Sequence, residues 1–120
     1  NDSNHWVEVQ GISEGTNVAK NKSASITGTI DSIYGTGDIN TIIDGHAEDC
    51  LDYINVVSGN QCVTIDLGEE YNLEEVAIWH YFADERTYYD NITQVASSDG
   101  VYQTIYSGDT KATSKGNHIK

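Results

Sequence analysis

Two groups of residues in this chain have the types and spacing for chemistry. The segment Asp44-Gly45-His46-Ala47-Glu48-Asp49 puts three carboxylates, a glycine and a histidine into six positions. A tight turn opening on Asp-Gly lets carboxylate and carbonyl oxygens face one point, and Ca²⁺ takes about six to eight such oxygens. The plain alternative is an acidic turn solvated on all sides. Zn²⁺ is not indicated, because His46 and Cys50 do not make a four-ligand set and no Cys-x-x-Cys occurs. The second group is Arg86, the only arginine in the chain, with Asn91 five positions on. A guanidinium offers a planar fork of donors suited to vicinal hydroxyls or to a carboxylate. Alternatively Arg86 pairs with Asp84 or Asp90 on the rim, and Asn91 only starts a strand.

For catalysis the sequence offers little. It has no Gly-x-Ser-x-Gly, no His-Glu-x-x-His and no phosphate-binding loop. Tyr34-Gly35-Thr36-Gly37 is glycine-rich but precedes no helix. The pairs Glu69/Glu70 and Glu74/Glu75 flank strand ends, where adjacent carboxylates point to opposite faces and into water. His80 lies inside an apolar run and reads as a core histidine; Trp6 and Trp79 read as core residues too. The expectation is a binding protein, not an enzyme.

The elements that must position these residues are β-strands. Val63, Ile65 and Leu67 alternate with Thr64 and Asp66, a period of two with one face buried. The run from Val76 to Phe82 is apolar on both faces and predicts a central strand. Ile92 to Ala96 and Val101 to Tyr106 flank Ser98-Asp99-Gly100, a strong hairpin signal. Val7 and Val9 alternate with Glu8, and Ser25-Ile26-Thr27 is another short strand. Ser32 to Asn40 is rich in Gly, Asp, Ser and Thr and predicts a loop. Ile39 to Ile43 predicts a single helical turn. Nothing supports a helix of ten or more residues, so the fold class is all-β, a sandwich or barrel.

Composition narrows the partners. The 120 residues suit one domain, and the net charge of −13 repels phosphate backbones. Nucleic acid and anionic membrane are therefore not expected partners, whereas cations are. No apolar run approaches the ~18 residues of a membrane span, so membrane insertion is not expected. No leader is visible and the first residue is not Met, as in a mature product or a piece of a longer protein. Cys50 and Cys62 are either reduced, buried thiols or a disulfide. A bridge would contribute about 3 kcal/mol and imply an oxidising compartment. Sequons at Asn21-Lys22-Ser23 and Asn91-Ile92-Thr93 are of a kind that arises often by chance.

Four segments in order resemble the discoidin family, also called the coagulation factor five/eight C-type domain. They are Asn17-Val18-Ala19; Ile43-Asp44-Gly45; Val63-Thr64-Ile65-Asp66-Leu67-Gly68 with Tyr71, Val76 and Ile78; and Ala96-Ser97-Ser98-Asp99-Gly100-Val101-Tyr102. Trp79-His80-Tyr81 through Asp84-Glu85-Arg86-Thr87-Tyr88 is similar to discoidin domains of bacterial and phage surface proteins. The resemblance implies a galactose-binding-like jelly-roll β-sandwich of about eight antiparallel strands, with ligand loops at one end. It implies a structural Ca²⁺ held by Asp44, carbonyls of its turn and Asp49, with His46 in the same turn. The family's remaining carboxylate, from its last strand, corresponds here to Glu8. It also implies carbohydrate binding through an Arg and an Asn spaced like Arg86 and Asn91, with a His and a stacking aromatic. The His has no clear match, Tyr53 or His46 lying near its place; Tyr88 or Tyr34 is the candidate for stacking.

Both ends depart from that pattern. Discoidin domains continue beyond the equivalent of the 101–106 strand, whereas fourteen residues remain here. Asn4-His5-Trp6-Val7-Glu8-Val9-Gln10 precedes the usual start and resembles the strand that normally ends the domain. Residues 1–16 are thus expected to be a strand and linker, and 17–120 the discoidin-like domain. The terminal strand is incomplete, exchanged, taken from a preceding tandem repeat, or paired within its own sandwich. The functional expectation is a non-catalytic extracellular adhesion module, secreted or on a cell or virion surface, recognising carbohydrate or a glycoconjugate. The rival is a structural repeat of a surface filament, fibre or virion assembly, whose partner is another copy of itself joined by strand addition.

Overall fold

The computed structural model describes residues 3–49, 51–57 and 61–120. Among these, ten strands and one 3₁₀ turn form in the order β1 (Ser3–Ser13), β2 (Thr16–Asn17), β3 (Ser23–Thr27), β4 (Ile30–Gly35), the 3₁₀ turn (Ile39–Ile43), β5 (Ile54–Val57), β6 (Cys62–Asp66), β7 (Glu75–His80), β8 (Thr87–Ala96), β9 (Tyr102–Lys111) and β10 (Asn117–Ile119). Every strand pairing is antiparallel, so the protein is all-β. Among the described residues no helix is long and apolar enough to cross a membrane.

The main sheet runs β10-β7-β1-β5-β4, with β2 added to the far end of β1. Two further pairs, β3-β6 and β8-β9, stand apart from it. Strand β1 is central: Asn4 to Trp6 pair with β5, and Trp6 to Ile12 pair with β7. Residues 3–6 therefore pair along one edge and 6–12 along the other, within their own chain. Glu14 and Gly15 then turn the chain with positive φ angles of 50° and 77°, the geometry a two-residue hairpin loop requires.

The register between β1 and β7 is broken by a bulge between Trp6 and Glu8. An extra residue there resets the alternation of side chains. Trp6 and Val9 pack on one core cluster, whose buried members are Ile42, Ile43, Ile54 and Val56. Half-buried Ala24, Ile26, Val63 and Ile65 of β3 and β6 close that cluster from the opposite layer. Val7 belongs to a second cluster with Ala77 and Trp79, flanked by Ala47, Tyr53 and Phe82. This two-layer packing is compatible with a β-sandwich.

The alternation expected for Val63 and Ile65 is present, with Thr64 and Asp66 exposed. The central strand expected from Val76 is β7, covered on both edges by β1 and β10. The hairpin is longer than its apolar residues suggested, with ten residues in each arm. Its turn is set by Asp99, whose Oδ1 accepts from the Val101 N–H at 2.9 Å and the Ser97 hydroxyl at 2.9 Å. The 3₁₀ turn is capped by Asp38, whose side chain accepts from the Asn40 N–H at 3.0 Å.

Two expectations need correction. The loop expected over Ser32 to Asn40 begins with a strand, since β4 extends to Gly35. It pairs with β5 only at Ile30↔Val56 and Gly35↔Ile54, with an irregularity between, so an edge strand tolerates its Gly, Asp and Ser content. Of the two readings of the cysteines, the one with buried thiols does not hold for Cys62, which opens β6 on the exposed face. The proposed bridge to Cys50 falls on a position outside the described residues.

Deleting residues 1–10 should remove the middle of the main sheet and leave β5 and β7 with unpaired edges. The truncated chain is expected to lose its cooperative thermal transition. A truncated protein that melts like the full chain would mean β1 does not hold the sheet together.

Candidate functional site

The register of β1 on β7 places the residues of one candidate site. Trp6 pairs with His80, so His5 and Tyr81 lie beside each other at the same end of the two strands. Tyr53, just before β5, joins them. The ring centroids are 5.5 Å apart for His5–Tyr53, 5.8 Å for His5–Tyr81 and 5.3 Å for Tyr53–Tyr81. All three side chains are half-buried, so the cluster offers aromatic surface to solvent.

Tyr53 is held from behind by the backbone of β4. The Thr36 N–H donates to its carbonyl at 2.8 Å. Gly35 approaches so closely, at φ +81°, that a Cβ there would lie 2.5 Å from that same oxygen. Only glycine fits this approach.

Behind the rings lies a buried tier. Tyr88 is 5% exposed, and its ring stacks on His80 at 4.3 Å and 19°. The Tyr88 hydroxyl and His5 Nδ1 are 3.0 Å apart, within hydrogen-bond distance. His80 Nδ1 donates to the His5 carbonyl at 2.8 Å. Burial pulls the His80 imidazole down to about 4, so near neutrality it is uncharged and Nδ1 carries the proton. His5 is also lowered, first by burial and then by the nearby Arg86 charge. Burial pushes the Tyr88 hydroxyl up, so it remains protonated.

Arg86 forms the rim. Its guanidinium lies 5.5 Å from the centroid of Tyr81 and is bound edge-on by Asp84, with Nε–Oδ1 at 3.0 Å and Nη2–Oδ2 at 2.5 Å. Asp84 Oδ1 also accepts from the Arg86 N–H at 3.3 Å. The hydrogen bonds from Arg86 hold the Asp84 carboxyl below its ordinary value. Both side chains are about half exposed, so water screens the pair and it adds little to stability. Stability alone therefore gives no strong reason for the arrangement.

The structure thus brings Arg86, Tyr53 and Tyr88 into one region, with different roles. Tyr88 presents no ring face to solvent, because it is stacked on His80; it supports His5 instead. Asn91 does not face the cluster freely. Its amide donates to the Tyr88 carbonyl at 2.7 Å and to Thr110 Oγ1 at 3.1 Å. It braces the β8 bulge at Asp90, whose φ is +57°. His46 lies on its own acidic turn with Nδ1 3.2 Å from Glu48 Oε1, so it does not supply the histidine of this cluster. Tyr34 is 62% exposed and makes no ring contact with the cluster. Sequence reasoning passed over His5 and Tyr81, which lie 76 positions apart. Pairing the 4–10 strand against the run starting at Val76 would have revealed them. A separate groove of about 110 Å³ is lined mainly by apolar Leu73, Val76, Val95, Ile105 and Ile119, and contains none of these rings.

The candidate cation site lies on the same central strand. The bulge leaves Glu8 fully buried opposite Trp79. Oε2 accepts from Gln10 Nε2 at 3.3 Å, while Oε1 has no hydrogen-bond partner among the described residues. Burial pushes this carboxyl up to about 8, and the adjacent Asp44 carboxylate pushes in the same direction. Asp52 is raised as well, first by burial and then by Asp44. Asp44 Oδ1 accepts from the His46 N–H at 2.8 Å, and Asp49 Oδ1 from the Leu51 N–H at 2.9 Å. Among the described residues, no group of three or more His, Cys, Asp or Glu side chains is gathered to hold a metal. The chemistry of the Glu8–Asp44 pair nevertheless suits an oxygen-liganded dication. One buried carboxylate oxygen is unpartnered, and two acidic groups repel each other there.

Without a cation, Glu8 should destabilise the fold as pH rises. Its folded carboxyl titrates near 8 against an ordinary 4.5, so between those values the folded state holds the extra proton. Stability from this group is then fully present below about 4.5 and is lost as pH climbs through about 8. In EDTA, the melting temperature of wild type minus that of Glu8→Gln should fall from about pH 5 to about pH 8. The subtraction removes the opposite contribution of His80, which is lost on acidification below its ordinary 6.5. A difference that stays flat would place Glu8 in water.

Compared with known proteins, the chain matches no family model, no curated protein and no solved structure.

Proposed function

We propose that this protein is a non-catalytic carbohydrate-binding module that takes its ligand on the His5–Tyr53–Tyr81 cluster beneath Arg86. The observation that carries this reading is the pairing of half-buried rings with a guanidinium at one strand end. Sugars present an apolar C–H face and a rim of hydroxyls, so aromatic surface edged by fixed donors suits them. The discoidin resemblance, with its jelly-roll sandwich, belongs to the same reading, and so does a location on a cell or virion surface or in secretion. The rival reading, a self-assembling repeat joined through residues 1–10, is less favoured because residues 3–12 find their strand partners within their own chain.

Arrays bearing galactose-type glycans should show binding with a dissociation constant on the order of 0.1–1 mM, roughly 4 to 5.5 kcal/mol. Arg86→Ala and Tyr81→Ala should each weaken it about tenfold, or about 1.4 kcal/mol. Silence across neutral and acidic glycans, or binding indifferent to both substitutions, would remove this site from consideration.

The second component of the proposal is a structural Ca²⁺ held by Glu8 and Asp44, with Asp49 and carbonyls of the 44–49 turn as further oxygen donors. It would neutralise the buried carboxylate and fix the turn. At a hundredfold excess over its dissociation constant, a ligand selective for the folded state adds about 2.7 kcal/mol of stability. The melting temperature should rise with Ca²⁺ in wild type and not in Asp44→Ala. An EDTA melting curve that superimposes on the Ca²⁺ curve at pH 8 would eliminate the ion.

A further inference from the structure

We propose that Asp84 is the acceptor half of the ligand site and selects neutral, hydroxyl-rich ligands over acidic ones. This rests on the carbohydrate reading above and specifies the ligand class of that site.

The geometry of Arg86 carries the argument. A guanidinium has five N–H donors, and an anion is bound best along an edge where two of them point in parallel. Here the edge formed by Nε and Nη2 is already filled by both oxygens of Asp84. One face of the group lies over Tyr81. The remaining donors, those of Nη1 and one hydrogen of Nη2, form a second edge that can meet a pair of hydroxyl oxygens. The Asp84 carboxylate, half exposed beside them, has lone pairs left to accept hydroxyl hydrogens. A vicinal diol can therefore accept from Arg86 and donate to Asp84 at once.

An acidic sugar meets the opposite conditions. The charge of Arg86 is neutralised at contact distance by Asp84, so its open edge offers a ligand anion no net attraction. His5 adds no cation near neutrality, being lowered by burial and by Arg86 itself. A ligand carboxylate would then face Asp84 on a chain that already carries a net charge of −13. Asparagine at position 84 would remove the negative charge while leaving an oxygen to accept the Arg86 N–H, so the local turn is retained.

The test compares two probes that differ only at C6, methyl β-galactopyranoside and methyl β-galactopyranosiduronate, titrated by NMR into wild type and Asp84→Asn. Wild type should bind the neutral probe at least tenfold more tightly than the acidic one. Asp84→Asn should weaken the neutral probe and bring the ratio within about threefold, with the melting curve unchanged. Equal wild-type affinities would overturn the selectivity regardless of how the variant behaves. So would an unchanged ratio in folded Asp84→Asn while Arg86→Ala abolishes both interactions; either result leaves the carbohydrate reading standing. If wild type binds neither probe and no other glycan, the carbohydrate reading fails and Asp84's role fails with it.

Discussion

The structure depends on β1, which joins β5 at its start to β7 along the rest of its length. Its first four residues pair with β5 on one edge, and Trp6 to Ile12 pair with β7 on the other. Its side chains also reach two separate core clusters. Trp6 and Val9 meet one cluster and Val7 the other, which is possible only because the bulge after Trp6 breaks strict alternation. A slip of register would exchange the two sets of side chains between the faces. The bulge pins that register.

Both candidate sites follow from the same register. Before the bulge, His5 is carried alongside Tyr81 and Tyr53; after it, Glu8 is carried into the interior toward Asp44. The aromatic site is rigid because its supports are rigid. His80 and Tyr88 stack in the buried tier, and their hydrogen-bonding groups lie at opposite sides of His5, its carbonyl and its ring. His80 Nδ1 and the Tyr88 hydroxyl each have a partner, as a site meant to hold one geometry requires. The Glu8 site is the contrary case. It places an acid where desolvation and a like charge both oppose ionisation, and Oε1 finds no partner among the described residues.

Much of the fold was legible in the sequence, for reasons particular to each element. Val63 to Asp66 alternates because β6 has one face on the core and one in water. Val76 to His80 does not alternate because β7 is flanked and covered. Asp99-Gly100 marks the hairpin because the turn needs a short side-chain acceptor followed by positive φ. Strand β4 was not legible. An edge strand with two pairings draws little on residue type, so the Gly and Ser content that suggested a loop was no obstacle.

The candidate site was legible only in part, because spacing along a chain does not report where a side chain turns. Arg86 and Asn91 share a strand and its entry, yet the positive φ at Asp90 rotates Asn91 toward the backbone of its own hairpin. His46 looked available beside three acids, but the nearest of them, Glu48, satisfies it. Tyr88 looked like a stacking residue, and the alternation of β8 places it inward. His5 carried no local signal at all, since its meaning arises from a strand seventy-five positions away. What decides the site is therefore the antiparallel register of two strands, which converts distant positions into neighbours. That register is fixed by burying Val7, Ala77 and Trp79 together, so the core chooses the site before any ligand does.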